Sequence, residues 1–339
     1  MNEKGECPAH LKAPEVVEEE NYFFKLSRYG EEIKKRIESN ELLILPDTRR
    51  NEILALLERG LEDVSFSRPK SKVSWGIPVP GDDSQVMYVW CDALSNYITA
   101  IGYGTDTFDE VLWSNAVHVI GKDILRFHAA IWPGMLLSAG LDLPKKILVH
   151  GHITSGGQKM SKSLGNVIDP REVIELFRPA CGELAGEALR FVLLHEIPSF
   201  DDGDITLDSI KAMYTAHLAN GIGNLTSRIM KMAVSYGVSF EEPEIHDFSN
   251  KLDGFNVNTV AKEIFSAVGE IDKYIQTVEP YKLIKVNEEQ GKLEVAVVMK
   301  KLFYVAVNLQ YFMPQTSAKI LECIRENKMP ESPLFGRLA

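Results

Sequence analysis

Lys159 and Lys162 stand three residues apart in the run Lys159-Met160-Ser161-Lys162-Ser163, which continues as Leu164-Gly165-Asn166. The run lies in a Gly- and Ser-rich stretch just after a predicted strand. A mobile loop of this kind can bring ammonium groups onto a polyphosphate only when one is bound, and lysine suits that task as a compact charge. When a nucleophile displaces pyrophosphate at an α-phosphate, negative charge builds on the leaving group, and positioned cations stabilise it. Five such residues in isolation read equally well as a solvated Lys/Ser loop; the longer run through Asn166 favours the phosphate reading. His150 and His152, just upstream, invite a metal or acid–base role, but their place in the loop suits ordering it. Cys7 and His10 have metal-ligand spacing, yet a lone pair is no site, since structural zinc takes about four ligands. No metal site is therefore expected.

These residues need a scaffold. Apolar residues at helical spacing predict helices over 31–38 and 50–61, with Pro46 between them. Alternation at Val73, Trp75, Ile77 and Val79 predicts a strand. Pro80-Gly81-Asp82-Asp83 predicts a turn, and 86–90 a second strand. A helix follows over 92–101, a strand over 117–120, a helix over 123–138 and a strand over 146–149. Strands alternating with helices imply βα units on a parallel sheet, and 150–170 reads as loop. From residue 206 the pattern is helical, with Ile210, Met213, His217, Leu218, Leu225, Ile229 and Met232 on one face. Periodic segments over 257–286 and 294–324 complete an antiparallel bundle.

The 339 residues have room for about two or three domains. No stretch approaches the ~18–20 apolar residues of a membrane helix. The acidic start has neither a secretory apolar run nor transit-peptide character. Cys7, Cys91, Cys181 and Cys323 are scattered without a C-x-x-C pair, which argues against a disulfide scaffold and suits a reducing cytoplasm. A chain that grips nucleic acid mainly through phosphates is usually basic. The formal net charge of −11 excludes that as the default mode and leaves a local RNA site open.

The Lys159–Asn166 run resembles the signature loop of class I aminoacyl-tRNA synthetases, where several amino-acid specificities share related loops. Other segments resemble the methionine-specific branch. They are Met87-Tyr88-Val89-Trp90-Cys91-Asp92-Ala93-Leu94 with Asn96-Tyr97, Gly121-Lys122-Asp123-Ile124 with Phe127-His128 and Trp132-Pro133, and His150-Gly151-His152-Ile153-Thr154. Trp75 to Gly81 and Glu19 to Ser27 look like the same branch. The resemblance implies the second half of a Rossmann-like catalytic domain followed by an all-α anticodon-binding bundle. The implied divisions are 1–65 (end of an insertion plus a helical segment), 66–149 (half-domain), 150–205 (loop and stem-contact region) and 206–339 (bundle).

The implied reaction activates methionine with ATP and Mg²⁺, then passes the methionyl group to a methionine tRNA. Lys159 and Lys162 carry the loop chemistry. Gly121, Asp123, Ile153 and Lys162 match ATP positions. Trp90, Ala93, Leu94, Tyr97, Ile124 and His128 match a pocket for the methionine side chain, with Arg68 near its head group. A polarizable thioether packs well on aromatic rings, and a phenol or neutral imidazole can direct a hydrogen bond at sulfur. Asn224 and Arg228, four apart on one helix face, match anticodon-reading positions. Tyr281 stands after Pro280 where the family usually has tryptophan. The family's other signature, His-x-Gly-His, does not occur in this sequence. The expectation is therefore a ligase portion that needs a separate N-terminal half. The alternative is a non-catalytic tRNA-binding module.

Overall fold

The computed structural model describes residue 13 and residues 18–161, 165–238, 240–244 and 249–338. Cys7 and His10 lie outside the described residues, as do Lys162, Ser163 and Leu164. The chain divides into two compact units, 1–149 and 150–339. No described helix is long and apolar enough to cross a membrane.

The strands of the first unit are β1 (Phe23–Phe24), β2 (Leu43–Leu45), β3 (Val64–Ser65), β4 (Ser67–Pro69), β5 (Pro78–Val79), β6 (Asp82–Met87), β7 (Val117–Gly121) and β8 (Lys146–His150). Its helices are α1 (Gly30–Glu38), α2 (Asp47–Glu58), α3 (Val89–Thr99), α4 (Glu110–Ser114) and α5 (Trp132–Ser138). β2 pairs in parallel with β8, Ile44 opposite Ile147, and β7 takes the other side of β8. Leu42, Ile44, Ile147 and Val149 are fully buried, as in a strand pair covered on both faces. α1 buries Ile33 and Ile37, one turn apart, and α2 buries Ile53 and Leu57 in the same way. A second, antiparallel sheet runs β4-β6-β5.

Four expectations change here. The segment around Val73, Trp75 and Ile77 is exposed; its pairing with β6 is limited to Pro78–Val79 and the bond from Met87 N to Ile77 O. Pro78 and Pro80 bring no N–H to a ladder. The predicted turn over 80–83 is confined to Pro80 and Gly81; Asp82 and Asp83 open β6, with the Asp82 carboxylate accepting from Ser84 N at 2.9 Å. The strand expected over 86–90 stops at Met87. Tyr88 N gives a last sheet bond to Phe66 O, and Cys91 N then turns back to Tyr88 O, so Trp90 sits on a helix. The helix expected over 123–138 is broken into a 3₁₀ turn (Lys122–Ile124), a π-helical turn (Phe127–Ile131) and α5. Pro133 lacks the N–H that a regular helix would aim four residues back.

In the second unit, β9 (Ile153–Ser155), β10 (Gln158–Lys159) and β11 (Gly203–Asp204) form a sheet in the order β10-β9-β11. The expected loop over 150–170 thus contains a hairpin, turned by Gly156 and Gly157 at positive φ; only glycine meets those angles without strain. The helices are α6 (Pro170–Cys181), α7 (Ala185–Glu196), α8 (Leu207–Met213), α9 (Asn224–Tyr236), α10 (Val257–Val278), α11 (Pro280–Val286), α12 (Glu288–Leu309) and α13 (Pro314–Arg325). A π-helical stretch (Tyr214–Gly223) joins α8 to α9 and kinks at Gly221. The periodic segments over 257–286 and 294–324 each split where a proline opens the next helix, at Pro280 and Pro314. Ile210, Leu218, Leu225, Ile229 and Met232 are buried in a shared core with Ile264, Val298, Leu302 and Phe303.

Candidate active site

In the first unit, α3 and the broken helix after β7 bring aromatic rings together. The Trp90 ring stacks on Phe127, with centroids 4.1 Å apart and planes 18° apart, and meets His128 edge-on at 6.2 Å. The Tyr97 ring lies 4.3 Å from the His118 ring and 6.2 Å from Trp132. The expected pocket residues Trp90, Ala93, Tyr97 and Ile124 are half-buried beside the almost fully buried His128. Leu94 has no accessible surface and lies in the hydrophobic core against which Trp90, Tyr97 and Ile124 pack.

The hydrogen bonds settle the protons. His128 Nδ1 lies 3.0 Å from Ile124 O. A carbonyl only accepts, so Nδ1 carries the hydrogen and Nε2 is bare. The Tyr97 hydroxyl, 3.0 Å from His128 Nε2, is therefore the donor. Both donors offered to a thioether by the sequence reading are committed to protein partners. What the cluster presents is ring faces and the Tyr97 oxygen. Burial pushes the His128 pKa down, partly opposed by the Ile124 carbonyl, and pushes the Tyr97 phenol up.

Sequence reasoning missed His118. Its Nε2 accepts from the Trp132 indole N–H at 3.2 Å. Burial first, and then the neighbouring His128, pull its pKa down to about 4. The only signal was its place as the inward residue of a short strand. A groove of about 380 Å³ opens along the outer side of β7, lined by Tyr97, Ile101, Leu112, Trp113, His118 and Val119 among others.

Arg68, on β4, is tied into the small sheet. Its Nη1 donates to Ser65 Oγ at 2.7 Å and Ser67 O at 2.6 Å, and its guanidinium sits 4.5 Å over the Tyr88 ring. Gly121 closes β7, and Asp123 is an exposed residue of the following 3₁₀ turn. Ligands of parallel sheets gather at the carboxyl ends of strands, which is where both residues stand.

In the second unit, Ile153 is exposed on β9 and Lys159 on β10. Asn166 grips the base of the lysine loop: its Oδ1 accepts from Ser161 N at 2.9 Å and its Nδ2 donates to Lys159 O at 3.3 Å. The Asp204 carboxylate accepts from Thr154 Oγ1 at 2.7 Å and from Gly157 N at 2.8 Å, pinning the hairpin; these bonds hold its pKa below the usual carboxylate range. His152 N donates to Asp202 Oδ1 at 2.8 Å. His150 Nδ1 donates to Gly151 O at 2.7 Å, which fits a loop-ordering part. Asn224 is exposed at the start of α9. Arg228 pairs with Asp272 of α10. Tyr281, on α11, donates its hydroxyl to Glu279 Oε1 at 3.0 Å. Among the described residues no group of three or more His, Cys, Asp or Glu could hold a metal ion.

Comparison with known proteins bears on these clusters. The family model described as tRNA synthetases class I (M) matches residues 3–230. A methionine–tRNA ligase of Mesorhizobium japonicum is 38% identical over 342 aligned residues, covering 96% of this chain and 64% of the relative. One from Brucella suis is 39% identical, covering 91% and 62%. The crystal structure of Mycobacterium tuberculosis methionyl-tRNA synthetase bound by methionyl-adenylate superposes with a TM-score of 0.79 at 30% identity, covering 97% of this chain and 71% of that one. The chain thus spans 62 to 64% of the length of these two curated relatives.

Proposed function

This chain belongs to the class I tRNA synthetases of the M type, and from that premise we propose that it is the methionine-binding, loop-bearing and tRNA-reading portion of a methionine–tRNA ligase. In the first step the methionine carboxylate attacks the α-phosphate of ATP, forming the methionyl-adenylate and releasing pyrophosphate. In the second, a hydroxyl of the tRNA's terminal ribose takes the methionyl group and AMP leaves. No covalent enzyme intermediate is involved, so catalysis is positioning and charge stabilisation. Mg²⁺ enters with the nucleotide, held by phosphates and water.

The aromatic cluster around Tyr97 and His128 is the observation that carries the methionine reading. Stacked and edge-on rings suit a polarizable thioether, and with His128 and Tyr97 hydrogen-bonded to each other the walls are rigid. Selection then rests on shape and ring contacts, with the Tyr97 oxygen as the polar element nearby. In this reading Gly121 and Asp123 meet the nucleotide, Ile153 lies by its base, Arg68 serves the amino-acid head group, and Lys159 and Lys162 stabilise the departing pyrophosphate. We place this action in the cytoplasm, in keeping with four scattered cysteines that form no C-x-x-C pair.

The chain covers less than two-thirds of its curated relatives and contains no His-x-Gly-His. The complete reaction is therefore proposed for this chain joined by a partner half that brings those histidines. Methionine-dependent ATP–pyrophosphate exchange, assayed with and without such a half from a relative, tests it. Exchange should appear only in the mixture, and its absence there overturns the ligase reading. The second reading, a non-catalytic tRNA-binding module, rests on Asn224 and Arg228 one turn apart on α9; tRNA binding that depends on Arg228 without any exchange would establish it.

A further inference from the structure

The side chain that sequence analysis singled out for base reading, Arg228, does not stand alone. It projects from α9 and pairs through Nη1 with Asp272 Oδ1 on α10. The other oxygen, Asp272 Oδ2, accepts from Gln276 Nε2 at 2.6 Å, one turn further along α10. Both members of the ion pair are about one-third exposed, 36% for Arg228 and 38% for Asp272. Asn224 is exposed one turn before Arg228.

We propose that Asp272, braced by Gln276, is a positioning residue that aims the Arg228 guanidinium at base edges and cancels its pull on phosphates. This deepens the proposed function and rests on the reading of the bundle as an RNA-binding element. A guanidinium has five donors in a rigid fork. A carboxylate on one limb fixes the plane and leaves the other limb for a base acceptor. Phosphate contacts position without discriminating, and base contacts discriminate. An unpaired arginine beside any backbone would add the first kind; a paired one is reserved for the second. The opening on solvent matters, because a pair at this exposure contributes little to folding. Its removal should alter recognition and leave the fold.

The test uses the full chain and two RNA hairpins: the anticodon stem-loop of a methionine tRNA, and the same stem with its loop bases permuted. Affinities are measured by fluorescence anisotropy across a potassium chloride series. Asp272→Asn should lower the ratio of matched to permuted affinity by about tenfold, as expected for a coupled pair. It should also steepen the salt dependence by about one single-strand phosphate contact, a slope change of ~0.7. Asp272→Glu should restore much of the ratio, and Gln276→Ala should lie between. In the Arg228→Ala background, Asp272→Asn should change nothing further. A ratio and salt slope unchanged in Asp272→Asn, with Arg228→Ala still reducing discrimination, overturns the positioning role and leaves the RNA reading intact. Absence of discrimination by the wild type, or indifference to Arg228→Ala, overturns the RNA reading and this proposal together. Circular dichroism confirms folding; if Asp272→Asn unfolds, Asp272→Glu and Gln276→Ala decide, and wild-type ratios in both overturn the proposal.

Discussion

His118 is held neutral by its surroundings, and that has a sign. Its pKa is about 4 in the folded chain against an ordinary 6.5. Above the ordinary value both states are neutral and the stabilisation is complete. As pH falls through 6.5 the unfolded chain takes up a proton that the folded chain refuses, so stability drains away until pH approaches 4. The shift corresponds to about 3 kcal/mol. Melting temperatures of the chain and of His118→Gln between pH 7 and pH 4 check this; the wild type should lose more stability than the variant over that window. Tyr97→Phe makes a second prediction. It leaves the buried His128 Nε2 without its donor, a loss of roughly 1–3 kcal/mol, readable by urea denaturation. Most of these side chains were legible as residue types in motifs. Which hydrogen goes where was not, because the tautomer of His128 depends on a carbonyl one turn away and that of His118 on an indole fourteen residues on.

Elements show where local pattern and packing part company. Glu187, on α7, is almost fully buried, and its carboxylate accepts from Gln315 N at 2.6 Å, Thr316 N at 2.8 Å and Thr316 Oγ1 at 2.7 Å. It caps the N-terminus of α13 from another helix, where the helix dipole favours an anion. Glu187→Ala should destabilise the second unit by about 3 kcal/mol or more, since it strips charge-assisted bonds from buried donors; calorimetry would register it. No periodicity could announce such a cap, since the partners are far apart in sequence. Gly151 makes a similar point. A Cβ there would stand 2.2 Å from the Asp201 backbone carbon, and backbone cannot move aside cheaply. Gly151→Ala should loosen the β9–β11 ladder behind the lysine loop, seen as faster amide exchange at Gly203 and Ile205, which donate to His152 O and Thr154 O. The mis-set boundary at Trp90 has the same origin. Val86 to Trp90 is apolar enough for a strand, but the ladder partner ends at Phe66 O and the chain coils as soon as it is released.

On the scale of the whole chain, β7 is an edge. Its ladder is occupied on the β8 side alone among the described strands, and Val117 and Val119 face out at 40% and 66% exposure. An apolar strand edge beside an apolar groove is a template for pairing. The isolated chain should therefore self-associate with rising concentration, and Val119→Lys should reduce that; sedimentation velocity measures both. A strictly monomeric wild type would contradict it. Much of the general plan was already readable. Amphipathic spacing named α1, α2, α3 and the helical stretch from residue 206 onward but not α4, α6 or α7, apolar runs named β7 and β8, and the lysine loop with its companion motifs named the family, because period and residue chemistry are local properties of a chain. Long-range packing decided the rest: the hairpin inside the apparent loop, the breaks after β7, the commitment of the Tyr97 and His128 protons to each other and to Ile124, and the pairing of Arg228 with Asp272. Each depends on which groups meet across the fold, and a buried or paired polar group is satisfied by whatever neighbour the packing supplies.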